Sequence, residues 1–96
     1  MRARPTSRRL QSSPVEIPSE LDIRGYRVHE IPGRVTQFVD ESSLHGMNTL
    51  RIIHGDGTGA IREAVRELLS RHPLVTSFKA APKDRGGNGA TLVDLT

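Results

Sequence analysis

From Leu21 to Leu95 the apolar residues repeatedly change period, so the chain must alternate strands with helices. Leu21-Asp22-Ile23 alternates apolar with polar and is closed by Arg24-Gly25, which predicts a short first strand. Ile31, Val35, Phe38, Val39 and Ser42 then fall at helical spacing. Pro32 suits the first helical position and Gly46 the position just past the end. Asn48 to Ile53 predicts a second strand with Leu50, Ile52 and Ile53 buried. After the turn His54-Gly55-Asp56-Gly57-Thr58-Gly59, a helix beginning near Thr58 repeats Ile61, Val65, Leu68 and Leu69 along one stripe, and Pro73 stops it. Leu74 to Ala80 reads as a third strand, Pro82 to Gly89 as a loop rich in glycine and charge, and Ala90 to Leu95 as a last strand.

The order βαβαββ predicts an α/β fold of two layers, a mixed four-stranded sheet with two helices. Helical crossovers make the first three strands parallel, and the final loop makes the last strand antiparallel to the third. The C-terminal ends of the parallel strands then share one edge of the sheet. Asp22 to Gly25, His54 to Gly59 and Lys83 to Gly89 meet there, and that edge is where open α/β sheets bind ligands.

Ninety-six residues suffice for one domain. Residues 1–19 combine Pro5, Pro14 and Pro18 with serines and four arginines, and offer too little apolar surface to offset ordering entropy. They read as a flexible basic linker or tail, with the domain at 20–96. Residues 1–20 carry four arginines against Glu16 and Glu20, so they hold two of the net three positive charges. The rest is near neutral, with ten basic and nine acidic side chains. Any nucleic-acid footprint of the domain must therefore be a local patch. The basic tail fits an accessory arm on nucleic acid and a merely solubilising linker equally well. The absence of cysteine excludes a disulfide framework and a Cys-based zinc site. No apolar run approaches the roughly 20 residues that span a bilayer. No apolar signal core follows the arginines, so a cytoplasmic protein is expected.

The turn His54-Gly55-Asp56-Gly57-Thr58-Gly59 joins a strand to a helix. Glycines let a backbone approach a phosphate, and the N–H groups of the following helix attract anions. Gly55, Gly57, Thr58 and Gly59, with Arg62 one turn in, are thus candidate phosphate ligands. No Gly-Lys-Ser/Thr follows, which argues against a nucleoside triphosphate. The alternative is a tight turn with no ligand. His54 ends a buried strand and is expected to face the crevice as a general acid or base; a cap on backbone carbonyls is the bland reading. Asp22 and Arg24 share one side of a strand, either as a structural ion pair or as a means to orient an imidazole and clamp phosphate. Lys83, Arg85, Gly86, Gly87 and Gly89 belong to a loop that can track a phosphate backbone or simply be solvated. With only Tyr26, Phe38 and Phe78 aromatic, base stacking is poorly supported. His29, His45 and His72 lie near helix ends, where surface roles are expected.

Three of these segments together resemble the Smr (small MutS-related) domain. Leu21-Asp22-Ile23-Arg24-Gly25 is similar to its LDxRG motif, His54 to Gly59 to HGxGTG, and Gly86-Gly87-Asn88-Gly89-Ala90-Thr91 to GGxGxT. The surrounding sequence most resembles the C-terminal Smr domain of the second class of bacterial MutS homologues. The resemblance implies a fold like the C-terminal domain of translation initiation factor three. It also implies endonuclease activity, usually nicking, on DNA or RNA, with family links to recombination suppression, DNA repair and ribosome rescue. Catalytic roles fall by motif on Asp22, Arg24 and His54. The implied partners are DNA or RNA, the ribosome, and the rest of a MutS-like protein. Two departures stand out. Asp56 occupies a position that is often basic, weakening the phosphate turn or supplying a carboxylate for a divalent ion. Ile31-Pro32-Gly33 interrupts a usually smooth helix start.

The expected chemistry is phosphodiester hydrolysis. His54 would move the proton, Arg24 would stabilise charge, and Asp22 would orient His54 or hold a magnesium or manganese ion, Asp56 being the other candidate ligand. The alternative is a binding module without catalysis, favoured by the few acids near the edge. A pure protein-interaction domain is weaker, since it leaves the three glycine motifs unexplained.

Overall fold

The computed structural model describes residues 19–96; the basic tail expected at the N-terminus lies outside them, apart from Ser19. Six main elements follow in order: β1 (Ser19–Asp22), α1 (Ile31–Leu44), β2 (Thr49–Ile53), α2 (Ala60–Arg71), β3 (Val75–Ala80) and β4 (Ala90–Leu95). The sheet order is β1-β2-β4-β3, with β1 parallel to β2 and β4 antiparallel to both β2 and β3. The last strand thus inserts between the second and third, and β1, β2 and β3 run the same way.

β1 starts and ends earlier than its sequence pattern predicts. Ser19 already pairs with Leu50, while Ile23 lies just past the strand and still donates its N–H to the Ile53 carbonyl at 2.8 Å. Along β2 the pleat sends Leu50 and Ile52 to the helices, both fully buried. Ile53 points to the opposite face and is half-buried, correcting its expected burial.

Both helices follow their apolar stripes. In α1 the buried residues are Ile31, Val35, Phe38, Val39 and Ser42, with Pro32 in the first turn. A 3-10 turn, Val28–Glu30, leads into the helix, and the Glu30 carboxylate accepts the Arg27 N–H at 2.8 Å. At the other end the His45 ring donates to the Glu41 carbonyl at 2.8 Å, satisfying one of the orphan groups of the last turn. In α2 Val65 and Leu69 are fully buried, with Ile61 and Leu68 partly so. The core lies between these two stripes and the helix-facing side chains of the sheet, Leu21, Leu50, Ile52, Val93 and Leu95. No described helix is long and apolar enough to cross a membrane.

His72 departs from its expected surface role. Its side chain is only 7% exposed, its Nδ1 accepts the Leu74 N–H at 3.1 Å, and its Nε2 meets Asp40 at 3.0 Å. It fastens the α2–β3 connection at the sheet end opposite the glycine turns.

Candidate nucleic-acid site

The C-terminal ends of β1, β2 and β3 share one edge, as the topology requires, and the three glycine-bearing segments interlock there. The joint is Gly89. Its carbonyl accepts two N–H groups, from His54 at 3.0 Å and from Gly55 at 2.9 Å. A Cβ on Gly89 would stand 3.2 Å from Asp56 Oδ1 and 3.5 Å from the Gly55 carbonyl carbon, so the two turns pack backbone on backbone. On the other flank, Arg24 Cγ lies 3.5 Å from where a Gly55 Cβ would sit.

Asp22 and Arg24 form one unit. The carboxylate accepts the Arg24 backbone N–H at 3.0 Å, its Nε–H at 3.0 Å and an Nη2–H at 2.7 Å. These bonds hold the Asp22 carboxyl at about 2, well below the usual carboxylate range, so it is ionised at any working pH. Both side chains are exposed, Arg24 at 64% and Asp22 at 48%. Of the five guanidinium N–H donors two point at Asp22, which leaves three for a ligand. Asp22 therefore orients Arg24. It makes no hydrogen bond to His54 among the described residues, and the expectation that it orients the imidazole is corrected: its two oxygens are spent on its own strand end.

His54 turns inward rather than toward the crevice, and only 6% of it is exposed. Nδ1 lies 3.0 Å from the Gly55 carbonyl and Nε2 lies 2.9 Å from the Thr91 hydroxyl. A carbonyl only accepts, so Nδ1 carries the proton, and the Thr91 hydroxyl donates to Nε2 of the neutral ring. Burial lowers the basicity of the ring; the Gly55 carbonyl opposes this, the nearby charges of Arg62 and Arg66 reinforce it, and Asp56 opposes it.

The Gly55–Gly59 turn enters its helix later than expected. α2 begins at Ala60 rather than near Thr58, because Gly59 at its N-cap has φ 92° and breaks the helical path. The Thr58 hydroxyl accepts the Ala60 N–H at a long 3.4 Å. Asp56, Gly57 and Thr58 are exposed on the tip. Arg62 and Arg66 follow on α2, and each has a buried Nε–H with no partner among the described residues. Arg66 stands 5.9 Å over the Phe78 ring.

The segment carrying Lys83, Arg85, Gly86, Gly87 and Gly89 is two successive 3-10 turns, Lys83–Arg85 and Gly87–Gly89. The Pro82 carbonyl accepts the Arg85 and Gly87 N–H groups at 2.8 and 2.9 Å, and the Gly86 carbonyl accepts that of Gly89 at 2.9 Å. A loop rich in glycine and charge is thus tied down by its own backbone. Lys83 and Arg85 are exposed along it.

Asp22 is committed to Arg24, and no three His, Cys, Asp or Glu side chains gather among the described residues. Thr91, which closes the third motif, is a site residue absent from the sequence-based set. Its signal was a hydroxyl at an inward-facing strand position, where a polar group needs a partner.

The family model described as the Smr domain matches residues 21–96. Among curated relatives, endonuclease MutS2 of Lactobacillus gasseri is 48% identical over 90 residues, covering 94% of this chain and 11% of that protein. The endonuclease MutS2 of Thermus thermophilus is 44% identical over 86 residues, covering 90% of this chain and 12% of that protein. This chain therefore spans about a tenth of the length of the curated relatives it matches. The crystal structure of the Smr domain of Thermus thermophilus MutS2 superposes with a TM-score of 0.79 at 46% identity, covering 81% of this chain and 98% of that one. YdaL, a stand-alone small MutS-related protein from Escherichia coli, gives a TM-score of 0.76 at 26% identity, covering 80% of this chain and 63% of that one.

Proposed function

The chain belongs to the Smr domain family, and on that premise we propose that its glycine-rich edge binds the phosphate backbone of DNA or RNA and nicks it. The observation that carries this reading is that the second and third motifs join at Gly89 while the first, through the exposed Asp22–Arg24 pair, flanks Gly55 of the same turn. The name endonuclease MutS2 on the full-length relatives supports the reaction type.

In this account a phosphate seats against the Gly55–Gly59 turn. Arg24, held in orientation by Asp22, presents its three free donors to the phosphate oxygens. Arg62 and Arg66 add positive charge along α2, and Lys83 and Arg85 extend the track along the 3-10 turns. In the hydrolytic step a water oxygen bonds to phosphorus and one bridging P–O bond breaks. The water gives its proton to solvent at the open edge, and the departing oxygen takes one from solvent. The products are one phosphomonoester end and one hydroxyl end. Arg24 stabilises the charge that builds on the phosphoryl oxygens. His54 supports the turn from beneath rather than moving the proton, because both its ring nitrogens are engaged inside the protein.

A second reading, binding without cleavage, is favoured by the same inward turn of His54 and by the lack of an acid cluster among the described residues. The test is incubation of the wild-type domain with supercoiled plasmid and with labelled RNA, with and without magnesium or manganese. Open-circular plasmid or shortened RNA is expected. Salt-dependent binding of either, with no product under any condition, would put the binding module first.

A further inference from the structure

Arg51 lies on the sheet face turned away from the helices and joins two segments far apart in sequence. On the parallel strands β1 and β2 it is the register partner of Glu20, with which its Nη2 forms an ion pair. Its Nη1 donates to the Arg85 carbonyl at 2.9 Å. The side chain is only 24% exposed, so these contacts are partly shielded from water. Each partner abuts a motif: Glu20 precedes Leu21-Asp22-Ile23-Arg24-Gly25, Arg85 precedes Gly86-Gly87-Asn88-Gly89, and Arg51 stands three residues before His54. None of the three residues belongs to a motif.

We propose that Arg51 is a positioning residue that clamps the three motifs into one site. It ties the Lys83–Arg85 turn to the β1–β2 pair and thereby sets the height of Gly86–Gly89, whose Gly89 carbonyl receives the N–H groups of His54 and Gly55. A guanidinium suits this task because its two Nη groups reach separate acceptors at once, and a lysine ammonium does not reproduce that fork. The effect on cleavage rests on the nicking activity proposed above; the effect on the 3-10 turns does not.

The test compares wild type, Arg51→Met, and the charge swap Arg51→Glu with Glu20→Arg. The swap restores an ion pair between β1 and β2 but sets a carboxylate, which has no proton to donate, opposite the Arg85 carbonyl. Amide hydrogen exchange at Gly87 and Gly89 is read against Ile52 in the core, together with the thermal midpoint and the plasmid-nicking rate. In Arg51→Met the Gly87 and Gly89 amides should exchange about tenfold faster, as expected for loss of one hydrogen bond from a charged donor, with Ile52 unchanged. The swap should recover the thermal midpoint while exchange stays fast and kcat stays low, with KM for plasmid little altered. Wild-type exchange at Gly87 and Gly89 in Arg51→Met, or recovery of both exchange and rate in the swap, would overturn the clamp. If the wild type does not cut, the nicking proposal falls while the exchange data still decide the clamp.

Discussion

His54 has a carbonyl on one ring nitrogen and a hydroxyl on the other, and neither partner is solvent. Removing the hydroxyl should therefore disturb the residue as much as removing the ring. Thr91→Val leaves Nε2 buried without a donor and is expected to cost about 1–3 kcal/mol, read by urea denaturation; Thr91→Ser should recover most of it. The sign of the pH dependence follows from the lowered basicity of the ring. The unfolded chain takes up a proton near the ordinary value of 6.5, whereas the folded chain resists until lower pH. The stabilising contribution of neutral His54 is thus fully present above about pH 6.5 and declines as the pH falls below it. His54→Gln should flatten that part of the stability profile. An unchanged slope in the variant would show that the ring is not held neutral by the fold. Asp22 and Arg24 were legible as a pair because two residues apart on a strand share a side. That the carboxylate serves Arg24 rather than His54 was not legible, since it depends on which way the histidine turns.

The helices were readable residue by residue, because a stripe at helical spacing can bury itself in only one way. The five buried residues of α1 are those its periodicity marks. The ends were less readable. Gly59 stops α2 from starting at Thr58, a matter of one backbone angle that the apolar pattern does not encode. The polar composition of the Pro82–Gly89 segment suggests a solvated loop, yet its order comes from backbone hydrogen bonds and from Arg51, which composition does not report. That order depends on Gly86, where φ is 111° and an added Cβ would lie 2.8 Å from the Ala90 Cβ. Gly86→Ala should destabilise the domain by about 1–3 kcal/mol and speed proteolysis within residues 82–89. A variant as stable and as protease-resistant as wild type would show that the turn has another accessible shape.

Over the whole molecule, the alternation of strands and helices already placed three motifs on one edge, because parallel strands bring their C-terminal ends together. Missing from that reading was the position of β4. Its insertion between β2 and β3 brings Thr91 beneath His54 and Gly89 against the second motif, and strand order in a four-stranded sheet is set by packing rather than by local pattern. In the proposed reaction the work on the phosphate falls to Arg24, exposed and oriented, and His54, buried and satisfied, supports the turn. The most direct measurement is the nicking rate of Arg24→Ala on supercoiled plasmid beside wild type, at matched unfolding midpoints. Because Arg24 is exposed, the midpoint should hold while the rate falls by roughly 100-fold or more. A variant that folds normally and nicks at the wild-type rate would contradict the account.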